Sequence, residues 1–178
     1  MKRILLTGGP GTGKTTVLLH LKKRGHTCFE EVSRAIIKEA QQRGIKQLFL
    51  THPDEFNDKL LLGRIQQHQD CDAEKAGYVF LDRGLPDIIA YNNYVDVPSS
   101  TAVIKATKQH RYDFVFVFPP WKNIYKTDNE RYETYEEAVK IYEDLKKTYS
   151  DLNYEVLEVP VNTVNERVNY ILNIVEYS

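Results

Sequence analysis

Eight residues near the start of the chain, Gly8-Gly9-Pro10-Gly11-Thr12-Gly13-Lys14-Thr15, match the spacing G-x-x-x-x-G-K-[ST] in full. Each residue type in that pattern has a part in gripping a phosphate chain. Glycines at positions 8, 9, 11 and 13 let the backbone wrap tightly enough for successive N–H groups to point at one anion. The helix expected to follow adds the positive end of its dipole. Lys14 brings a point charge to the β- and γ-phosphates, and the Thr15 hydroxyl is a ligand for Mg²⁺. Thr12 and Thr16 complete this expected nucleotide-binding set. A plain glycine-rich turn needs neither the lysine nor the threonine, so the motif predicts Mg²⁺-assisted binding of a nucleoside triphosphate, with ATP as the expected nucleotide.

A triphosphate held this way requires an acidic residue at the end of a neighbouring strand, and Tyr78-Val79-Phe80-Leu81-Asp82 supplies Asp82 as the second Mg²⁺ ligand. The residue after it discriminates between chemistries. Mechanical ATPases place a water-activating glutamate there, whereas this chain has Arg83. Asp-Arg resembles the step found in nucleoside and nucleotide kinases, where the carboxylate contacts the acceptor hydroxyl or the metal and the arginine steadies acceptor or phosphates. Glu31 and Arg34, three residues apart, share a face if a helix has begun by then, and could grip the hydroxyls and an anionic group of an acceptor.

Farther on, the chain leaves an apolar run through Phe118-Pro119-Pro120-Trp121 into a polar segment ending Asp128-Asn129-Glu130-Arg131. A rigid exit followed by a hydrophilic stretch reads as a closing lid over about residues 119–135, with Arg131 placed to neutralise charge on the transferred phosphoryl group. Trp121 suits either stacking on an acceptor ring or anchoring the loop by packing. The turn at Val161-Asn162 is expected to border the adenine through its backbone.

The elements that must carry these groups alternate from end to end. Short apolar runs at Arg3–Thr7, His26–Phe29, Tyr78–Asp82, Phe114–Phe118 and Glu155–Val159 predict five parallel strands. Between and after them, helices are expected at Lys14–Arg24, Val32–Arg43, Pro53–Lys75, Pro86–Tyr94, Ser100–His110, Glu130–Tyr149 and Thr163–Tyr177. Tyr132, Tyr135, Val139, Tyr142, Leu145 and Tyr149 form a stripe that reads as core packing. Residues 1–178 are expected to form a single domain.

Composition narrows the function classes. A hydrophobic share of 42% with 28% charged residues is that of a globular chain, not a disordered one. Twenty-four Lys and Arg against 25 Asp and Glu give a net charge of -1, so no bulk positive field favours a nucleic-acid backbone. The apolar start breaks at Thr7-Gly8-Gly9-Pro10, too soon for an export signal, and no apolar run reaches membrane-spanning length. Cys28 and Cys71 show no paired spacing, and a cytoplasmic location with reduced thiols is the expectation.

Taken in order, Gly8–Thr15, Glu31-Val-Ser-Arg34, Leu81-Asp82-Arg83-Gly84-Leu85-Pro86-Asp87, Phe118-Pro119-Pro120-Trp121, Asp128–Arg131 and Val159-Pro160 resemble the NadR-like ATPase/kinase proteins. These are small P-loop proteins related to the ribosylnicotinamide kinase domain and, more distantly, to deoxynucleoside and thymidylate kinases. The resemblance implies a three-layer α/β P-loop NTPase fold with strand order 2-3-1-4-5, dependence on ATP and Mg²⁺, and a small acceptor bound over the carboxyl ends of the strands. The resulting expectation is an ATP-dependent phosphotransferase acting on a small hydroxyl acceptor of nucleoside type. Lys14, Asp82 and Arg131 are its catalytic residues, and Glu31, Arg34, Arg83 and Trp121 bind the acceptor. A regulatory ATPase signalling to a protein partner and a 5′-polynucleotide kinase stand as alternatives.

Overall fold

Apolar runs that do not alternate mark strands covered on both faces. The computed structural model, which describes residues 1–125 and 134–177, places them in one parallel sheet. Its strands are β1 (Lys2–Gly8), β2 (Cys28–Phe29), β3 (Tyr78–Asp82), β4 (Phe114–Phe118) and β5 (Val156–Glu158), in the order β2-β3-β1-β4-β5. Leu6 of β1 lies opposite Asp82 of β3 and opposite Phe116 of β4, so the central strand brings its carboxyl end between both neighbours.

Successive side chains of β1 point to opposite faces and found separate cores. Ile4 and Leu6 pack with Val17 and Leu21 of α1 (Lys14–Lys23) and with Val168 and Ile171 of α8 (Val164–Glu176). Leu5 faces the other way, into a cluster with Ala90 of α5 (Leu85–Tyr94) and Ile141, Leu145 and Tyr149 of α7 (Tyr135–Asp151). Three layers result. A further cluster joins α2 (Val32–Gln42), α3 (Leu48–Thr51), α4 (Pro53–Asp70) and α6 (Thr101–Gln109) to α5.

The departures from the sequence expectations have local causes. The edge strands are shorter than expected, each pairing with a single neighbour. The helix expected to run to Lys75 ends at Asp70 and tightens into a 3₁₀ turn over Cys71–Ala73. The short helix α3 has no counterpart among the expected helices. The helix expected from Glu130 begins at Tyr135, because Thr134 is extended and its hydroxyl accepts from the Glu137 N–H while the Glu137 carboxylate accepts from the Thr134 N–H. Of the tyrosine stripe, Tyr142, Leu145 and Tyr149 are buried, Tyr135 and Val139 are half-buried, and Tyr132 lies outside the described residues.

Among the described residues no helix is long and apolar enough to cross a membrane. Both cysteines are free, and burial pushes each thiol up to about 11.

Candidate functional site

β1 ends in the phosphate loop. Gly8 has a positive φ of 147°, and a Cβ there would come within 2.6 Å of the Phe118 carbonyl, so only glycine lets β1 and β4 meet at this end. Gly13 takes φ 84° as the residue that opens α1. Between them Thr12 is buried, its hydroxyl donating to the Gly9 carbonyl at 3.0 Å. The Lys14 ammonium turns back over the loop and donates to the carbonyls of Gly8 and Gly9 at 2.8 and 2.7 Å. Burial, and then the charge of Arg83, lower its pKa to about 7.

Asp82 stands beside the loop because β3 pairs with β1. The residue is 4% exposed, and Oδ1 is buried without a hydrogen-bond partner. Burial raises its pKa, against the pull of Lys14. A buried carboxylate oxygen left open next to a phosphate loop fits a hard cation, and the Thr15 hydroxyl supplies a second oxygen. Among the described residues no group of three or more His, Cys, Asp or Glu could hold a metal by itself. Thr15 and Asp82 would therefore hold Mg²⁺ together with water and phosphate oxygens.

Arg83 adopts φ 67°, the left-handed conformation that non-glycine residues avoid. The turn carries its guanidinium into a buried ion network. Nε pairs with Glu31 Oε2 at 2.5 Å, Nη1 with Asp87 Oδ1 at 3.4 Å, and the group lies 5.1 Å from the centre of the Tyr91 ring. Arg64, buried on α4, donates to Glu31 Oε1 at 3.1 Å and to the Gly84 carbonyl at 2.7 Å. Asp87 is fully buried and accepts from Thr7 Oγ1, Tyr149 Oη and the Gly84 N–H at 2.6, 2.5 and 2.9 Å. Burial alone would raise the Asp87 carboxyl, but Arg64 and Arg83 hold it below the ordinary range.

Glu31 and Arg34 do not share a helix face, because α2 begins only at Val32. Glu31 caps α2 by accepting from the Ser33 N–H, and its carboxylate is taken up by Arg64 and Arg83. Arg34 reaches the other way, donating to Thr15 Oγ1 at 3.3 Å in an exposed contact. Trp121 is not brought to that network either. Its ring centre lies 6.0 Å from the Arg167 guanidinium, behind the phosphate loop. Thr16, Val161 and Asn162 are exposed, the last two in the turn before α8. Arg131 falls outside the described residues, as does the rest of 126–133 in the expected lid.

Three buried charged residues of this region went unassigned in the sequence: Arg64, Asp87 and Arg167. Asp87 lies within the Asp-Arg-Gly-Leu-Pro-Asp block. Arg167 betrays itself by position, since it occupies an inward place on α8 three residues after Val164 and four before Ile171.

A strand leading through a glycine-rich loop onto a helix, with an aspartate closing the next strand and the order β2-β3-β1-β4-β5, defines a P-loop protein of the kinase fold. The chain belongs to the AAA_28 family, described as AAA domain, which matches residues 3–167. No curated protein matches the sequence. Solved structures agree in fold at low identity. Deoxyadenosine kinase from M. mycoides, with products dCMP and a flexible dCDP bound, is 14% identical with a TM-score of 0.72, covering 99% of this chain and 100% of that one. NadR protein in complex with NR is 18% identical with a TM-score of 0.74, covering 99% of this chain and 50% of that one. Thymidylate kinase from Candida albicans is 18% identical with a TM-score of 0.70, covering 99% of this chain and 91% of that one.

Proposed function

We propose that the protein is an ATP- and Mg²⁺-dependent phosphotransferase acting on the hydroxyl of a small acceptor, a nucleoside or nucleoside-like compound. The observation that carries this reading is the buried, open oxygen of Asp82 beside the Lys14 loop, followed by Arg83 where a hydrolytic ATPase would place a second acid. The similar solved proteins, two nucleoside or nucleotide kinases and a protein complexed with NR, support the acceptor class. Free thiols fit a reducing cytoplasmic setting. Residues 1–178 then work as one domain around one sheet.

In this reading the backbone of Gly8–Lys14 wraps the phosphates and Lys14 leaves its carbonyl partners for the β- and γ-oxygens. Mg²⁺, which Thr15 and Asp82 would hold, would supply neutralisation of phosphate charge. Asp82 orients the acceptor hydroxyl or accepts its proton. Arg83, clamped between Glu31 and Asp87, presents a preset edge to the acceptor, so its orientation costs little when substrate binds. Segment 119–135 closes over the site and excludes water, with Arg131 engaging the transferred group.

The test is a screen of nucleosides, ribosides and short oligonucleotides with γ-labelled ATP, following transfer to acceptor separately from release of phosphate. Transfer to a nucleoside-type compound that exceeds release is expected. Brisk release with no acceptor labelled would replace the proposal with a regulatory ATPase.

Lys14 adds a pH signature. In the free protein its ammonium loses its proton at about pH 7, and phosphates favour the charged form. Nucleotide binding should therefore take up a proton above about pH 7, and affinity should fall as pH rises from there. Calorimetry in buffers of different ionisation enthalpy reads this directly. Identical heats in both would show that Lys14 is already charged.

A further inference from the structure

Arg167 is 2% exposed, and among the described residues it has no carboxylate in ion-pair reach. A buried cation without an acid is costly unless its surroundings give something back. Its guanidinium lies 4.6 Å from the centre of the Phe118 ring, with Trp121 at 6.0 Å, so aromatic faces take part of the charge. Nη2 donates to the Thr12 carbonyl at 2.8 Å, and Nη1 is so close to Gly13 that a Cβ there would stand 2.7 Å away. Nε is buried and unpartnered. Burial lowers the group only to about 10, which leaves it charged at neutral pH.

The carbonyl that Arg167 holds belongs to the peptide linking Thr12 to Gly13. In a planar trans peptide the C=O and N–H point in opposite directions, so a donor fixed on the Thr12 oxygen aims the Gly13 N–H away from Arg167. We propose that Arg167 is a positioning residue for phosphate: from behind the loop it locks the Thr12–Gly13 peptide plane and polarises it, so that the Gly13 N–H is a stronger, preset donor to the bound phosphate chain. Gly13 sits at φ 84°, and a glycine there leaves that peptide free to rotate unless something outside the loop holds it. The anion on the far side of the peptide becomes the remote counter-charge of Arg167.

This inference rests on the loop binding a nucleotide, and its test separates the two. Equilibrium affinities for ATP and for inorganic tripolyphosphate are measured on the wild-type chain and on Arg167→Met and Arg167→Lys. Arg167→Met should lose about tenfold for both ligands, the scale of a charge-assisted hydrogen bond. Arg167→Lys, which keeps the charge and a single donor but not the stacked planar fork, should lose about threefold, again equally for both ligands. The equal loss locates the effect at phosphate and not at the base. Unfolding curves without ligand identify the variants that fold, and if Arg167→Met does not, Arg167→Lys carries the comparison. A folded variant binding both ligands within about twofold of wild type would reduce Arg167 to packing. Loss of ATP alone would move it to the base. Wild-type protein that binds neither ligand would overturn the nucleotide reading and this inference with it.

Discussion

Replacing Lys14 with alanine is expected to lower phosphoryl transfer by about three powers of ten, the scale of removing a preorganised charge from the developing transition state. Triphosphate affinity should fall by about tenfold or more as well if, as proposed, the ammonium meets phosphate in the ground state. The geometry adds a complication that the motif alone does not. Lys14 also ties the carbonyls of Gly8 and Gly9 together, so its loss frees the loop as well as removing a charge. Arginine at the same position, whose planar fork does not reproduce the compact point charge that meets both carbonyls, should not restore turnover. Steady-state kinetics with an active acceptor decides the matter. Unimpaired turnover in the alanine variant would remove the loop from the chemistry.

Asp82→Asn should cut the chemical step by about two to four powers of ten while ATP still binds. The substitution keeps size and removes charge, and burial that disfavours the carboxylate makes the neutral amide easy to accommodate. The variant should therefore melt at or above the wild-type temperature. A catalytic loss joined to unchanged or raised thermal stability distinguishes a reacting group from a folding group. A variant both inactive and unstable would place Asp82 in the scaffold.

What could be read from the sequence was local. The phosphate loop carries its conformational demands in consecutive residues, and β1, β3 and β4 are apolar runs whose burial on both faces follows from composition. Asp82 was legible for the same reason, as the first charge after such a run. The start of α7 was also written locally, in the reciprocal capping pair of Thr134 and Glu137, but helical periodicity running through Tyr132 concealed it. The ion network was not legible. Glu31, Arg64 and Arg83 come from separate stretches of chain, and no short spacing tells which carboxylate will meet which guanidinium. Glu31 and Arg34 obey the helical spacing rule yet part company, because the first residue of the pair is a cap whose side chain folds back on its own helix. Arg167 reaches the loop across 155 residues of chain, visible beforehand only as a charge in an apolar stripe.

The carboxylate of Asp87 accepts from β1 through Thr7, from α7 through Tyr149 and from the turn at Gly84, and it pairs with Arg83. Four positions thus draw on one anion. Their substitutions are expected to be epistatic: a change at Thr7 or Tyr149 withdraws a donor that the other cannot replace, and its cost depends on what already stands at the other positions. A family diverging in acceptor preference could alter the outward-reaching Arg34 one step at a time, whereas positions 7, 83, 87 and 149 would have to move as a set. The interior carboxylate acts as a historical ratchet, holding the strand ends in register while the outer rim of the site remains free to drift.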